Sequence, residues 1–146
     1  TNVINAMNKV QSQNVSSTAS ISMAASVEAL TGDQSFITSH NESFLRRRDL
    51  VVKNLNETPG LSCRVPEGAF YVFASCKGVL GKKTESSKII EADGDFMDYL
   101  LEEVGVAGVQ GSAFGLDGFF RISYATSDSI LEDACQRIKL ACSKLS

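Results

Sequence analysis

Apolar positions recur every three to four residues over most of the chain, and every second residue in two short stretches. Residues 2–13 place Val3, Ala6, Met7 and Val10 on one face, which predicts a short helix. The run Asn14-Val15-Ser16-Ser17-Thr18 reads as a loop ending in a helix cap. Ile21, Ala24, Ala25, Val27 and Leu30 then predict a buried helix over 19–30, stopped by Gly32. Asp33 is placed to cap a longer helix over 34–56. Its stripe is Ile37, Phe44, Val51 and Leu55, flanked by Phe36, Leu45 and Val52, and Pro59-Gly60 ends it.

The period then shortens to two. Leu61, Cys63 and Val65 alternate with Ser62 and Arg64, Pro66-Glu67-Gly68 supplies a turn, and Ala69–Ser75 reads as a well-buried strand. Residues 77–94 hold three glycines and four lysines, which predicts a long mobile loop. Phe96, Leu100 and Val104 define a short helix closed by Gly105, before a strand over 106–109, a glycine-rich loop over 110–118 and a strand over 119–124. Leu131, Ala134, Cys135, Ile138, Ala141, Cys142 and Leu145 keep helical spacing, and Ser129 with Glu132 offers a capping box. Residues 34–146 therefore run α-β-β-α-β-β-α, an α+β layer with helices packed on a small mixed sheet.

Composition adds exclusions. The 146 residues are 43% hydrophobic and 21% charged with a net charge of −3, a globular balance that argues against affinity for nucleic acid. The longest apolar run is six residues, Ala69–Ala74, too short to span a membrane as a helix. No secretory signal is visible, so a cytoplasmic protein is expected and the triplets at Asn14, Asn41 and Asn56 read as coincidence. Cys63, Cys76, Cys135 and Cys142 form no CxxC pair and His40 stands alone, so no metal site is expected. Cys63, Cys76 and Cys135 fall on apolar faces and read as buried reduced thiols.

Several motifs fail on spacing. Gly78–Thr84 has two residues between its glycines where a phosphate-binding loop needs four, and Gly105, Gly108, Gly111, Gly115 and Gly118 miss the dinucleotide pattern. Arg46-Arg47-Arg48 spreads around a helix and reads as a solvated face, with Arg47 or Arg48 paired to Glu42 or Asp49. His40 reads as a structural histidine, and the acidic pairs at 102–103 and 132–133 as helix surface. Arg121 is different, because it sits inside Phe119-Phe120-Arg121-Ile122-Ser123-Tyr124. Alternation puts Phe120, Ile122 and Tyr124 on one face and Phe119, Arg121 and Ser123 on the other. A guanidinium there either snorkels into water from an edge strand or aims a planar fork at a carboxylate, and strand context leaves both open.

The longer string of motifs carries a resemblance. Gln11-Ser12-Gln13, Ser20-Ile21, Ala24-Ala25 and Glu28-Ala29-Leu30 are followed by Arg47-Arg48-Asp49 and Pro66-x-Gly68-Ala69-Phe70-Tyr71. Leu100-Leu101-Glu102, Gly105-Val106-Ala107, Gly111-Ser112-Ala113-Phe114-Gly115 and Arg121-Ile122-Ser123-Tyr124-Ala125 complete the order. In register across nearly all of the chain, these make it resemble the C-terminal part of class I aspartate aminotransferases, fold-type I enzymes dependent on pyridoxal phosphate, and the bacterial branch most closely. Gln110 departs from the pattern, where many relatives carry Pro.

The resemblance implies a division at residue 33. Residues 1–33 would end the large, cofactor-carrying domain, and 34–146 would form the small C-terminal domain, with the helix over 34–56 bridging the two. It gives Arg121 the α-carboxylate of the amino-acid substrate as partner, on a domain that closes over the cofactor. It places Gln13, Asn14 and Ser16 near the active site of the partner subunit in a homodimer, although Val15 stands where relatives carry Thr or Ser. None of the eight lysines has the Ser-Lys context followed by Gly-x-Arg that the family uses for its Schiff base; Ser87-Lys88 is the nearest and does not fit. The expected function is therefore part of an aspartate:2-oxoglutarate aminotransferase of amino-acid metabolism, inactive as this chain alone. Alternatives are an aminotransferase for aromatic or other amino acids, or a non-catalytic small-molecule-binding or interaction module that kept the fold.

Overall fold

The structure, a computed structural model, describes residues 1–14 and 17–146, which divide into two compact units, Thr1–Ile37 and Thr38–Ser146. The first unit holds helices α1 (Asn2–Asn14) and α2 (Ser20–Thr31). Val15 and Ser16 of the expected polar loop lie outside the described residues. Ala19 precedes α2 without a side-chain cap, so the cap expected from the polar run is not made. No residue of α2 is buried within this chain, and Ile21 and Leu30 are each 83% exposed, the exposure expected of a helix whose apolar residues would pack on the large domain. Apolar residues surround the whole of this helix rather than one stripe, a composition suited to cover on several sides.

Helix α3 (Phe36–Asn56) begins one turn past Asp33, whose carboxylate accepts the Ser35 N–H at 2.9 Å and the Ser35 hydroxyl at 2.7 Å. Only its second half reaches the core, through Val51, Val52 and Leu55, while Phe36, Leu45 and Ile37 remain exposed. Asn56 then ties the chain to β1 (Ser62–Cys63). Its side-chain amide donates to the Cys63 carbonyl at 2.9 Å and accepts the Cys63 N–H at 2.8 Å. This side chain takes the place of a neighbouring strand, and β1 is shorter than the expected 61–65. The next strand, β2, spans Tyr71–Ser75 rather than starting at Ala69. Ala69 adopts a left-handed φ of 62°, which turns it out of the ladder, and its carbonyl accepts the Tyr124 hydroxyl at 2.8 Å.

The segment expected as a mobile loop is stapled by its backbone. Gly81 donates to Ile90 at 2.8 Å, Ile90 to Lys82 at 2.9 Å, and Lys83 and Ser146 exchange bonds of 2.8 and 3.1 Å. Val79 and Ile90 are buried beneath these pairings. The loop also ends sooner than expected, because α4 runs Asp93–Val104 and includes Asp93 and Gly94. Gly105 closes α4 with a left-handed φ of 66°, its N–H bonding the Leu101 carbonyl at 3.2 Å. Strand β3 is Val109–Gln110, later than the expected 106–109, and the glycine-rich loop contains a 3-10 helix, Gly111–Phe114. Strand β4 is Phe119–Ser123 and α5 is Asp128–Ser143. The α5 cap is Ser127, whose hydroxyl accepts the Ile130 N–H at 3.4 Å, and not the expected pair of Ser129 and Glu132.

The four strands lie in the order β1-β2-β4-β3, and every pairing is antiparallel where a mixed sheet was expected. The α+β class stands. One face of the sheet, through Val72, Ala74 and Phe120, joins Val51, Leu55, Phe96, Leu100 and Ile138 in the buried core. The other face carries Tyr71, Phe73, Phe119 and Arg121, all half-buried. That open face positions the site.

Candidate functional site

Arg121 lies mid-strand in β4, between β2 and β3, opposite Phe73 on one side and Val109 on the other. It is thus on an inner strand, which removes the edge-strand reading. Tyr71 is two residues along β2 from Phe73 and so on the same face, at the diagonal distance an aromatic side chain can span. The Arg121 guanidinium carbon stands 4.3 Å from the Tyr71 ring centre and 4.4 Å from that of Phe114. Phe114 comes from outside the sheet, at the end of the 3-10 helix. The guanidinium therefore lies against two aromatic rings, a favourable placement for a delocalised cation.

The surrounding floor is aromatic. Phe73 stacks on Phe119 with ring centres 5.6 Å apart and an interplanar angle of 8°, and meets Phe114 edge-on at 6.1 Å. Phe70 lies against Tyr71 at 4.4 Å, and the Lys77 ammonium sits 5.2 Å over the Phe119 ring. These contacts leave no carboxylate at the cation. Among the described residues, Arg121 has no acidic group within 4.0 Å and makes no side-chain hydrogen bond. Arg46, Arg47, Arg48 and Arg137, by contrast, are all paired with aspartates at 2.8 Å. A guanidinium held by aromatic rings and by no carboxylate keeps its N–H groups for a ligand. A planar carboxylate is the partner that takes two parallel N–H bonds from them.

A buried carboxylate stands behind this arrangement. Asp93, 2% exposed at the start of α4, accepts the Ser112 N–H at 2.8 Å and the Gly118 N–H at 3.4 Å. Burial pushes its carboxyl up, but these hydrogen bonds outweigh burial and hold it below the ordinary aspartate range. Asp93 was not singled out from the sequence, where it looked like part of a loop. Tyr71 and Phe114 fell within recognised motifs without a role of their own.

The other candidates are placed as follows. Gln13 and Asn14 form the exposed last turn of α1, and Ser16 is outside the described residues. His40 lies on the exposed first half of α3. Arg48 pairs with Asp49 as expected, but Arg46 and Arg47 both reach Asp128 at the start of α5, each at 2.8 Å. All four cysteines are free and buried, and burial pushes their thiols up, to about 11 for Cys63, Cys76 and Cys135 and about 12 for Cys142. Among the described residues no group of His, Cys, Asp and Glu could hold a metal ion, and no helix is long and apolar enough to cross a membrane.

Comparison with known proteins gives a consistent result. An aspartate aminotransferase of Rhizobium meliloti (strain 1021) is 60% identical over 144 residues, which cover 99% of this chain and 35% of that protein. A probable aspartate/prephenate aminotransferase of Rhizobium leguminosarum bv. phaseoli is 55% identical over 140 residues, covering 96% of this chain and 35% of its own length. The crystal structure of the Rhizobium meliloti aspartate aminotransferase superposes with a TM-score of 0.88 at 60% identity, over 99% of this chain and 36% of that one. The chain thus spans about a third of the length of these relatives. The family described as aminotransferase class I and II matches residues 1–138, and the chain belongs to that family.

Proposed function

We propose that this chain is the C-terminal part of a pyridoxal-phosphate-dependent aminotransferase that moves an amino group from aspartate to 2-oxoglutarate, and that it supplies the substrate-carboxylate site. One observation carries this reading: the Arg121 guanidinium, packed against Tyr71 and Phe114 with no hydrogen bond or acidic partner among the described residues. Arg121 binds the α-carboxylate through two parallel hydrogen bonds, which fixes the orientation of the bond broken at Cα. The aromatic floor lowers the local polarity and excludes water as the domain closes over the substrate.

The lysines of this chain do not fit a covalent cofactor. Seven are exposed, and the eighth, Lys82, donates to the Leu145 carbonyl at 3.4 Å. The groups that hold pyridoxal phosphate belong to the remainder of the enzyme in this reading, with residues 1–33 as the end of that larger domain. The exposed apolar residues of α2 support this assignment, since a neighbouring domain would cover them. The enzyme is a cytoplasmic homodimer in which Gln13, Asn14 and Ser16 approach the partner's active site.

A second reading extends the substrate range to aromatic acids. It is favoured by the aromatic residues flanking Arg121, and relatives named aspartate/prephenate aminotransferases point to a ring-bearing acid beside aspartate. Rates of the full-length enzyme with aspartate and with phenylalanine, each against 2-oxoglutarate, separate the two. Aspartate is expected to be the better substrate by about tenfold or more in kcat/KM, the scale that one well-placed polar contact provides. Equal rates would favour the broader range. A second expected result concerns the chain on its own. Incubated with pyridoxal phosphate and then borohydride, it should show no single lysine modified in preference to the others, and no transaminase activity. Stoichiometric labelling of one lysine, mapped by peptide mass spectrometry, would contradict this.

A further inference from the structure

Phe114 can cover Arg121 only if the loop between β3 and β4 holds its shape. That loop is closed on itself, with Leu116 donating to the Gly111 carbonyl at 3.1 Å and Gly115 to Ser112 at 3.0 Å. A Cβ on Gly111 would overlap the Leu116 carbonyl oxygen, so the turn is as tight as its backbone allows. The closed loop is fixed to the rest of the domain at the Ser112 and Gly118 amides, which both donate to the one buried carboxylate of Asp93, and at the Gly118 carbonyl, which accepts the Cys76 N–H at 2.9 Å. The Ser112 and Gly118 amides bracket Phe114 in sequence. Asp93 has no basic group within 4.0 Å among the described residues, so its charge is balanced by amides and by the N-terminus of α4. Burying an unpaired carboxylate is costly, and here the Ser112 and Gly118 amides offset that cost.

We propose that Asp93 is a positioning residue for the carboxylate-binding arginine, setting the Phe114 wall of the clamp by anchoring the loop at Ser112 and Gly118. This rests on the reading of Arg121 as the substrate-carboxylate anchor. Asp93 touches neither the substrate nor Arg121. It acts through the loop: the α4 terminus holds the carboxylate, the carboxylate holds two amides, and the amides hold the ring 4.4 Å from the guanidinium. Without Asp93, the Ser112 side of the loop is released while Cys76 still holds Gly118, Phe114 swings away and Arg121 keeps only its contact with Tyr71. The guanidinium then loses its fixed aim.

A double-mutant cycle in the full-length holoenzyme tests this, with Asp93→Asn, Arg121→Ala and the pair combined. Asp93→Asn keeps the shape of the side chain and removes the charged acceptor. It is expected to lower kcat/KM for aspartate by about tenfold to a hundredfold, mainly through KM, with the cofactor absorbance unchanged. In the Arg121→Ala background the same substitution should lower kcat/KM by less than about twofold. An equal loss in both backgrounds would mean a general structural role and overturn the proposal, as would no loss in the first. If Arg121→Ala itself has no effect, the carboxylate reading falls, and this proposal with it. Should Asp93→Asn fail to fold, Phe114→Ala probes the far end of the same chain of contacts at a residue 50% exposed. Its loss should likewise appear only while Arg121 is present, and an equal loss without Arg121 would overturn the proposal.

Discussion

Arg121→Ala in the full-length enzyme is expected to lower kcat/KM for aspartate by about two to four orders of magnitude. The substitution removes two hydrogen bonds to a charged ligand, each contributing roughly 1.5–3 kcal/mol. Arg121→Lys should restore only part, because an ammonium offers one point of charge where the guanidinium offers a planar fork. It would also lose the broad contact with the Tyr71 and Phe114 rings. Cofactor binding should barely change, since no lysine of this chain is placed to hold it. Arg46→Ala is the control: Arg46 is 58% exposed and shares Asp128 with Arg47, so activity should stay within a few-fold of wild type. Steady-state kinetics with the cofactor spectrum recorded alongside decide the matter. Unchanged kcat/KM, or a main effect on folding or cofactor content, would overturn the assignment.

Phe120→Ala, one residue earlier in the same strand, should do the opposite. Phe120 points to the other face of the sheet, is fully buried, and meets Phe96 edge-on with ring centres 5.5 Å apart. Truncating a buried phenylalanine costs about 3–5 kcal/mol through lost transfer energy and the cavity left behind. The thermal midpoint should fall by about 10 °C or more in a domain of this size. Whatever enzyme remains folded at low temperature should bind aspartate with nearly the wild-type KM. Calorimetry paired with low-temperature kinetics checks both halves. A large rise in KM at a temperature where Phe120→Ala is folded would show that core and site are not separated by the sheet as described.

That separation of faces was legible in the sequence, because strict alternation over 119–124 sorts Phe120 from Arg121 without any knowledge of neighbours. Helices α4 and α5 were legible for the same kind of reason: Phe96 and Leu100, and Leu131, Cys135, Ile138, Ala141 and Cys142, keep helical spacing and are buried, while Val104 and Ala134 of the same stripes are only partly so. The sense of the sheet was not. A helix lies between β2 and β4, the usual mark of a parallel crossover, yet the two pair antiparallel.

The candidate site was legible in one of its parts. Arg121 stood out as a lone cation in an apolar strand. Its covers did not: Tyr71 is a diagonal neighbour whose register only the pairing reveals, and Phe114 reaches in from a 3-10 helix hidden within a glycine-rich run. Asp93 was harder still. Its hydrogen-bond partners lie 19 and 25 residues downstream, and no local pattern reports so distant a pairing. The stapling of residues 77–92 escaped for the same reason, since it rests on backbone bonds to one another and to Ser146.

The clamp around Arg121 has a bearing on competition. Had an aspartate or glutamate held the arginine, that carboxylate would be tethered beside it at an effective concentration of millimolar or more, and every incoming substrate would have to displace it. Aromatic rings immobilise the cation without offering it a carboxylate. The arginine is thus held in place with no internal rival for its ligand, and none of the attraction between guanidinium and carboxylate goes into evicting a resident anion.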